Sequence, residues 1–221
     1  MYVSRGRLAL SVKRGVDIVG AVLGFVVLAP VFGITSFAIL ATQGRPIFFR
    51  QTRPGLHGRP FRIVKFCTMR AAQPGENAYA TDAVRITPMG RFLRSSSIDE
   101  LPELWNVLRG DMSLVGPRPL LMEYLDKYTP EESRRHEMPA GITGWAAVNG
   151  RHVLKFRERL RLDVQYVDEW SLGLDLKILA LTLVQVLRRT DVAATQDLAE
   201  IGFPLETGAD EPGPPGSAGR G

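Results

Sequence analysis

"IVGAVLGFVVLAPVFGITSFAILATQG", residues 18–44, carries no charged side chain and has Pro30 near its middle. About 20 apolar residues suffice to cross a bilayer as a helix, so the run is long enough to be a membrane segment. It is too long for the apolar core of a cleaved signal peptide, and no small-residue cleavage site follows it closely. Its flanks carry the topological information. Arg5, Arg7, Lys13 and Arg14 precede it, opposed only by Asp17. Arg45, Arg50, Arg53, Arg59, Arg62, Lys65 and Arg70 follow it, with no acid before Glu76. Basic flanks favour the cytoplasmic side, and here both flanks qualify. A hairpin that enters and leaves one leaflet satisfies both; a straight span satisfies one. Proline removes a helical hydrogen bond and crowds the preceding turn, so a re-entrant helix–break–helix at Ala29-Pro30 accounts for charge and proline together. A single span kinked at the proline is the alternative, since membranes tolerate such kinks.

The remainder of the 221-residue chain is of ordinary domain size. Net charge is +5 and the isoelectric point about 9.6, which points to an anionic partner: lipid headgroups, a phosphorylated substrate or nucleic acid. No clustered basic helix or RNA-binding signature is present, so nucleic acid is not expected. One cysteine, Cys67, rules out an internal disulfide and a Cys-based zinc cluster within one chain. Residues 47–70 alternate short apolar groups with Arg, Pro and Gly and read as short strands joined by turns. Residues 71–90 read as loop. Residues 121–136 and 155–169 look helical and charged, and 174–189 reads as a helix for a core or a membrane interface. The tail from Thr207 is rich in Pro, Gly and Ser and reads as disordered.

"SIDELPELWNVLRGDMSLVGPRP", residues 97–119, holds the candidate chemistry. Leu101, Leu104, Trp105 and Leu108 recur at helical spacing, with Gly110 as a stop. Ser97 and Glu100 match a capping box, so Asp99 and Glu100 have a purely structural reading as helix-start residues. Their company supports a second reading. Arg91 and Arg94 precede them, Arg118 follows between two prolines, and Lys65 lies in the basic segment. Carboxylates among fixed cations suit phosphoryl transfer, with a carboxylate attacking phosphorus or holding a divalent metal.

Together "KRGVDIVGAVLG", "RQTRPGLHGRPFRIVKFCTMR", "GRFLRSSSIDELPELWNVLRGDMSLVGPRP" and "GITGWAAVNGR" resemble the bacterial sugar transferases, the small monotopic phosphoglycosyl transferases, from about Lys13 to Arg188. The resemblance implies an α/β, mostly helical fold. It has an N-terminal re-entrant membrane helix over residues 1–44, a compact cytoplasmic catalytic domain over 45–206 with interfacial helices and short strands, and a tail over 207–221. It implies the catalytic unit alone, without the multi-span region of larger members. It implies transfer of a sugar 1-phosphate from a UDP-sugar to undecaprenyl (polyprenyl) phosphate at the bacterial inner membrane, with release of UMP. Asp99 matches the nucleophile and Glu100 its supporting carboxylate. Lys65 and Arg118 match phosphate-binding cations, and Arg94, Arg151, Gln51 and Arg53 are further candidates for substrate phosphate. Mg²⁺ is the implied metal, with Asp99 as a ligand and Asp163 as a second candidate. The chain departs from common family residues at Cys67, Glu103 and Ala147, and Ala29 stands where a serine often precedes the proline. A non-catalytic, membrane-anchored lipid-binding module is the rival reading; it predicts that Asp99 and Glu100 are replaceable. A homodimer and docking with downstream glycosyltransferases are compatible with this reading.

Overall fold

The structure is a computed structural model and describes residues 6–71, 82–150 and 156–187. Arg151 and the tail lie outside these residues. One helix, α1 (Arg7–Thr42), runs through Pro30 without interruption. The expected break is therefore corrected: the proline sits inside a helix and does not separate two. The packing explains why the helix survives the lost hydrogen bond. Lys13, Asp17, Ala21, Thr35 and Ile39 are all buried at steps of four or multiples of helical turns, so one stripe meets the rest of the protein on both sides of Pro30. The opposite face leaves Val19, Leu23, Val26, Val27, Ile34 and Phe37 exposed. Exposed apolar residues on this scale do not belong in water.

Among the described residues, seven further helices and two small sheets form the body. Strands β1 (Phe48–Pro54) and β2 (Pro60–Phe66) pair antiparallel, with Phe49 opposite Lys65. They are the short strands expected at 47–70. After α2 (Asp82–Arg85) come α3 (Pro88–Ser95) and α4 (Glu103–Arg109). Strands β3 (Met112–Val115) and β4 (Ala140–Thr143) pair parallel, a contact with no signal in the local pattern. Between them the chain makes 3₁₀ turns and a single turn of helix, α5 (Pro130–Ser133), where one continuous helix was expected. The short helix α6 (Trp145–Gly150), then α7 (Phe156–Glu169) and α8 (Leu172–Leu187), complete the described chain.

Two ends of α1 grip this body differently. Near its start Lys13 Nζ donates to Asp175 Oδ2 at 2.7 Å and to the Val115 carbonyl at 2.9 Å. Asp175 also accepts from Tyr166 Oη at 2.7 Å and Trp170 Nε1 at 3.2 Å, so α1, α7, α8 and β3 share one buried polar node. Arg14 donates to the Val107 and Leu108 carbonyls and so satisfies the C-terminal end of α4. Asp17 accepts from Ser113 Oγ and the Leu114 amide, both at 2.9 Å. Toward its end α1 instead makes apolar contacts: the Phe32 ring packs tilted against Phe66 at 5.6 Å between ring centres, and Ile39 joins Phe66 and Leu93 in a buried cluster.

Candidate active site

Glu100 is the centre of the site, and two separate segments position the cations that bind it. Lys65, on β2, donates to Glu100 Oε1 at 2.9 Å. Arg118, in the Pro-Arg-Pro loop just after β3, reaches the same oxygen at 2.6 Å and Oε2 at 3.4 Å. The two cations thus converge on one carboxylate from opposite parts of the chain. Asp99, the preceding residue, is buried at 4% exposure. The helix-start reading of these acids is corrected. Ser97 has φ 56°, ψ 15° and makes no side-chain cap bond; it is the left-handed residue that ends α3. Asp99 and Glu100 sit in the 3₁₀ turn Ile98–Glu100, ahead of α4, and Glu100 spends its carboxylate on Lys65 and Arg118, away from the backbone of a helix start.

The spacing of this cluster is fixed by a residue the sequence reading passed over. Asn106, 1% exposed on α4, donates to the Arg62 carbonyl at 2.7 Å and accepts from the Val64 amide at 3.0 Å. Its amide therefore stitches α4 to the backbone edge of β2 and sets Lys65 opposite the start of α4. Glu103, the first residue of α4 and 2% exposed, has Oε1 3.4 Å from Lys65 Nζ.

The Pro-Arg-Pro loop is held from behind. Arg135, 1% exposed, donates Nη2 to the Arg118 carbonyl at 2.6 Å. The same guanidinium binds Asp163 Oδ2 through Nη2 at 2.6 Å and Nε at 3.1 Å. Asp163, expected as a metal candidate, is thus corrected to the buried counter-ion of Arg135. Arg53 donates to the Pro119 carbonyl at 3.4 Å and to Gln51 Oε1 at 2.9 Å, so these two substrate candidates brace the loop backbone. Arg94 donates Nε to Thr68 Oγ1 at 3.0 Å. Arg135 carries no motif in sequence; only the fold brings it to Arg118.

Electrostatics separates the carboxylates. Burial disfavours charge on Glu100, but the Arg118 guanidinium and then the Lys65 ammonium outweigh it and hold its carboxyl well below the usual carboxylate range. Burial pushes the Glu103 carboxyl up to about 8, with Lys65 opposing and the charge of Glu100 adding. Among the described residues no three His, Cys, Asp or Glu side chains are arranged as a metal cage. Mg²⁺ does not require one: it is commonly held by one or two carboxylates plus substrate phosphates. Asp99, buried next to Glu100, has the carboxylate chemistry that this mode requires.

A buried carboxylate next to a preset pair of cations is the arrangement of an enzyme acting on phosphate esters or anhydrides. The comparisons with known proteins narrow the class. Residues 8–189 match the family described as bacterial sugar transferase. The chain is 49% identical over 191 residues to an uncharacterised sugar transferase, EpsL, of Bacillus subtilis, covering 86% of this chain and 95% of that one. It is 42% identical over 185 residues to a UDP-glucose:undecaprenyl-phosphate glucose-1-phosphate transferase of Caulobacter vibrioides, covering 79% and 69%. The Escherichia coli protein of the same description is 38% identical over 183 residues, which are 77% of this chain and 39% of that protein. The chain belongs to the bacterial sugar transferase family and is a phosphoglycosyl transferase.

Proposed function

We propose that the enzyme transfers a sugar 1-phosphate from a UDP-sugar to undecaprenyl phosphate in two displacements on phosphorus. The observation that carries the reading is the clasp of Lys65 and Arg118 on Glu100 beside buried Asp99. It is supported by the relatives whose descriptions name this chemistry. In the first displacement an Asp99 oxygen attacks the β-phosphorus; the bond from that phosphorus to the anhydride oxygen breaks, and UMP leaves with the electron pair. In the second, an oxygen of undecaprenyl phosphate attacks the same phosphorus; the bond to Asp99 breaks and restores the carboxylate. The product is an undecaprenyl diphosphosugar.

The residues contribute mainly preorganisation. Glu100 holds Lys65 and Arg118 in a fixed spread, so positive charge is in place before the diphosphate arrives. Arg135 and Arg53 hold the carbonyls of Arg118 and Pro119, which limits drift of the loop. Mg²⁺, when bound at Asp99, would neutralise phosphate charge.

The acceptor is a lipid, so the site belongs at a membrane surface. Helix α1 is long and apolar enough to cross a membrane, and little of it is buried. Its contacts from Lys13 to Ile39 all fall on one body, which supports an unbroken anchor lying along the membrane surface with both ends on the cytoplasmic side. The test is UMP release from a panel of UDP-sugars by the purified protein with Mg²⁺ and undecaprenyl phosphate. Release with at least one donor, lost in Asp99→Asn, is the expected result. Equal release by the variant contradicts the assignment.

A further inference from the structure

Asp99, Glu100 and Glu103 place three carboxylates within five residues; Lys65 and Arg118 reach Glu100, and Lys65 also approaches Glu103. Glu103 lies deepest, 2% exposed. Lys65 is shared: its short bond of 2.9 Å goes to Glu100 and its longer approach of 3.4 Å to Glu103. Asn106 ties β2 to α4 one turn later, so Lys65 stays near both acids. Of the other charged groups on the elements packed against α4, Arg62 of β2 is exposed and those described on α1 are engaged elsewhere. From α1, Lys13 binds Asp175, Arg14 binds the carbonyls at the far end of α4, and Asp17 binds β3. Strand β3 itself has no ionisable side chain.

We infer that Glu103 rests as a neutral carboxylic acid and is a positioning residue for Lys65, leaving that ammonium to Glu100 and to the donor's phosphate. The inference rests on the proposed phosphosugar transfer for its consequence in turnover. With Glu103 neutral, Lys65 keeps its shorter bond to Glu100, the carboxylate that also binds Arg118. A donor diphosphate that arrives with Mg²⁺ brings charges that largely cancel, so this pairing persists in the complex. When Glu103 loses its proton to solvent, the new buried anion draws Lys65 toward itself, and the cation shared with Glu100 is displaced. Burial favours the neutral form of this carboxyl up to about pH 8, which agrees with the closer pairing of Lys65 with Glu100.

The test compares the full-length protein with Glu103→Gln and Glu103→Ala. Gln mimics the neutral acid in shape and charge; Ala removes the contact with Lys65. UMP release is followed against pH with Mg²⁺ present. In parallel, the infrared band of a protonated buried carboxyl is followed through the same titration without substrate. The wild type is expected to lose activity with one deprotonation at mildly alkaline pH, and its carboxylic acid band to fade with the same midpoint. Glu103→Ala is expected to lower kcat/KM at least tenfold. Glu103→Gln is expected to recover most of that loss and to lack both the alkaline limb and the band. An alkaline limb unchanged in Glu103→Gln, or no carboxylic acid band that this substitution removes, overturns the inference. Failure of every donor in the wild type, with the band present and Glu103-dependent, would instead refute the proposed reaction while upholding the protonation state.

Discussion

Replacing Arg135 with Met tests whether the Pro-Arg-Pro loop depends on the buried pair behind it. Met fills much of the same volume, so the packing loss is small. The substitution removes two donors to Asp163 and one to the Arg118 carbonyl, and strands a carboxylate that is 2% exposed. Breaking one side of a buried ion pair costs about 3–5 kcal/mol. Asp163 can limit the damage by taking up a proton. Burial already raises its carboxyl above the ordinary value of 3.8, with Arg135 opposing. A raised acid binds protons in the folded state that the unfolded chain releases, so its contribution to stability falls as pH rises through that window. Removing Arg135 removes the opposing charge and extends the window toward neutrality. Chemical denaturation in detergent should therefore give a loss of about 4 kcal/mol near pH 7, shrinking on acidification to about pH 5. The double variant Arg135→Met/Asp163→Leu removes both charges and should recover most of the stability. It should not recover kcat/KM, because the Arg118 carbonyl still lacks its donor; a tenfold deficit corresponds to about 1.4 kcal/mol. A loss below about 1 kcal/mol in the single variant, or greater stability at higher pH, would refute the reasoning.

Two further outcomes follow from packing. Val27 is 71% exposed on the apolar face of α1, and Asp in the centre of a membrane helix costs about 2.5–3.5 kcal/mol. Val27→Asp should move the protein from the membrane fraction toward the soluble or aggregated fraction, read by sedimentation; undiminished membrane recovery would contradict the anchor. Gly90, in α3, leaves no room for a side chain: a Cβ there would lie 1.8 Å from the Thr68 carbonyl oxygen. Gly90→Ala should shift α3 away from the segment at Thr68 that follows β2 and cost about 1–3 kcal/mol in denaturation experiments, whereas a neutral result would mean the two segments separate freely.

The parts legible in the sequence were those written into contiguous patterns. The length and apolarity of α1 follow from residues 18–44, and Lys65, Glu100 and Arg118 stood out because each sits in a dense local motif. The structure brings Lys65 and Arg118 together on the Glu100 carboxylate. Local pattern misled at Ser97, where a capping-box spacing coincides with the left-handed end of the previous helix; spacing does not report backbone φ. It also misled at Pro30, because a helix docked along its whole length survives one lost hydrogen bond. Arg135, Asn106 and Asp175 were invisible for a different reason. Their partners lie 17, 42 or 44, and 162 residues away, and nothing in the neighbouring sequence encodes such a contact. Arg151 remains a sequence-based candidate outside the described residues.

The most direct test of the central claim is the intact mass of the protein after incubation with its UDP-sugar and Mg²⁺ in the absence of lipid acceptor. The account predicts an added mass of one phosphosugar per chain, formed together with one UMP, absent in Asp99→Asn and discharged on addition of undecaprenyl phosphate. Steady turnover with acceptor present, but no adduct at any time and no UMP released without the lipid, would contradict a covalent role for Asp99 and place the transfer in a single step.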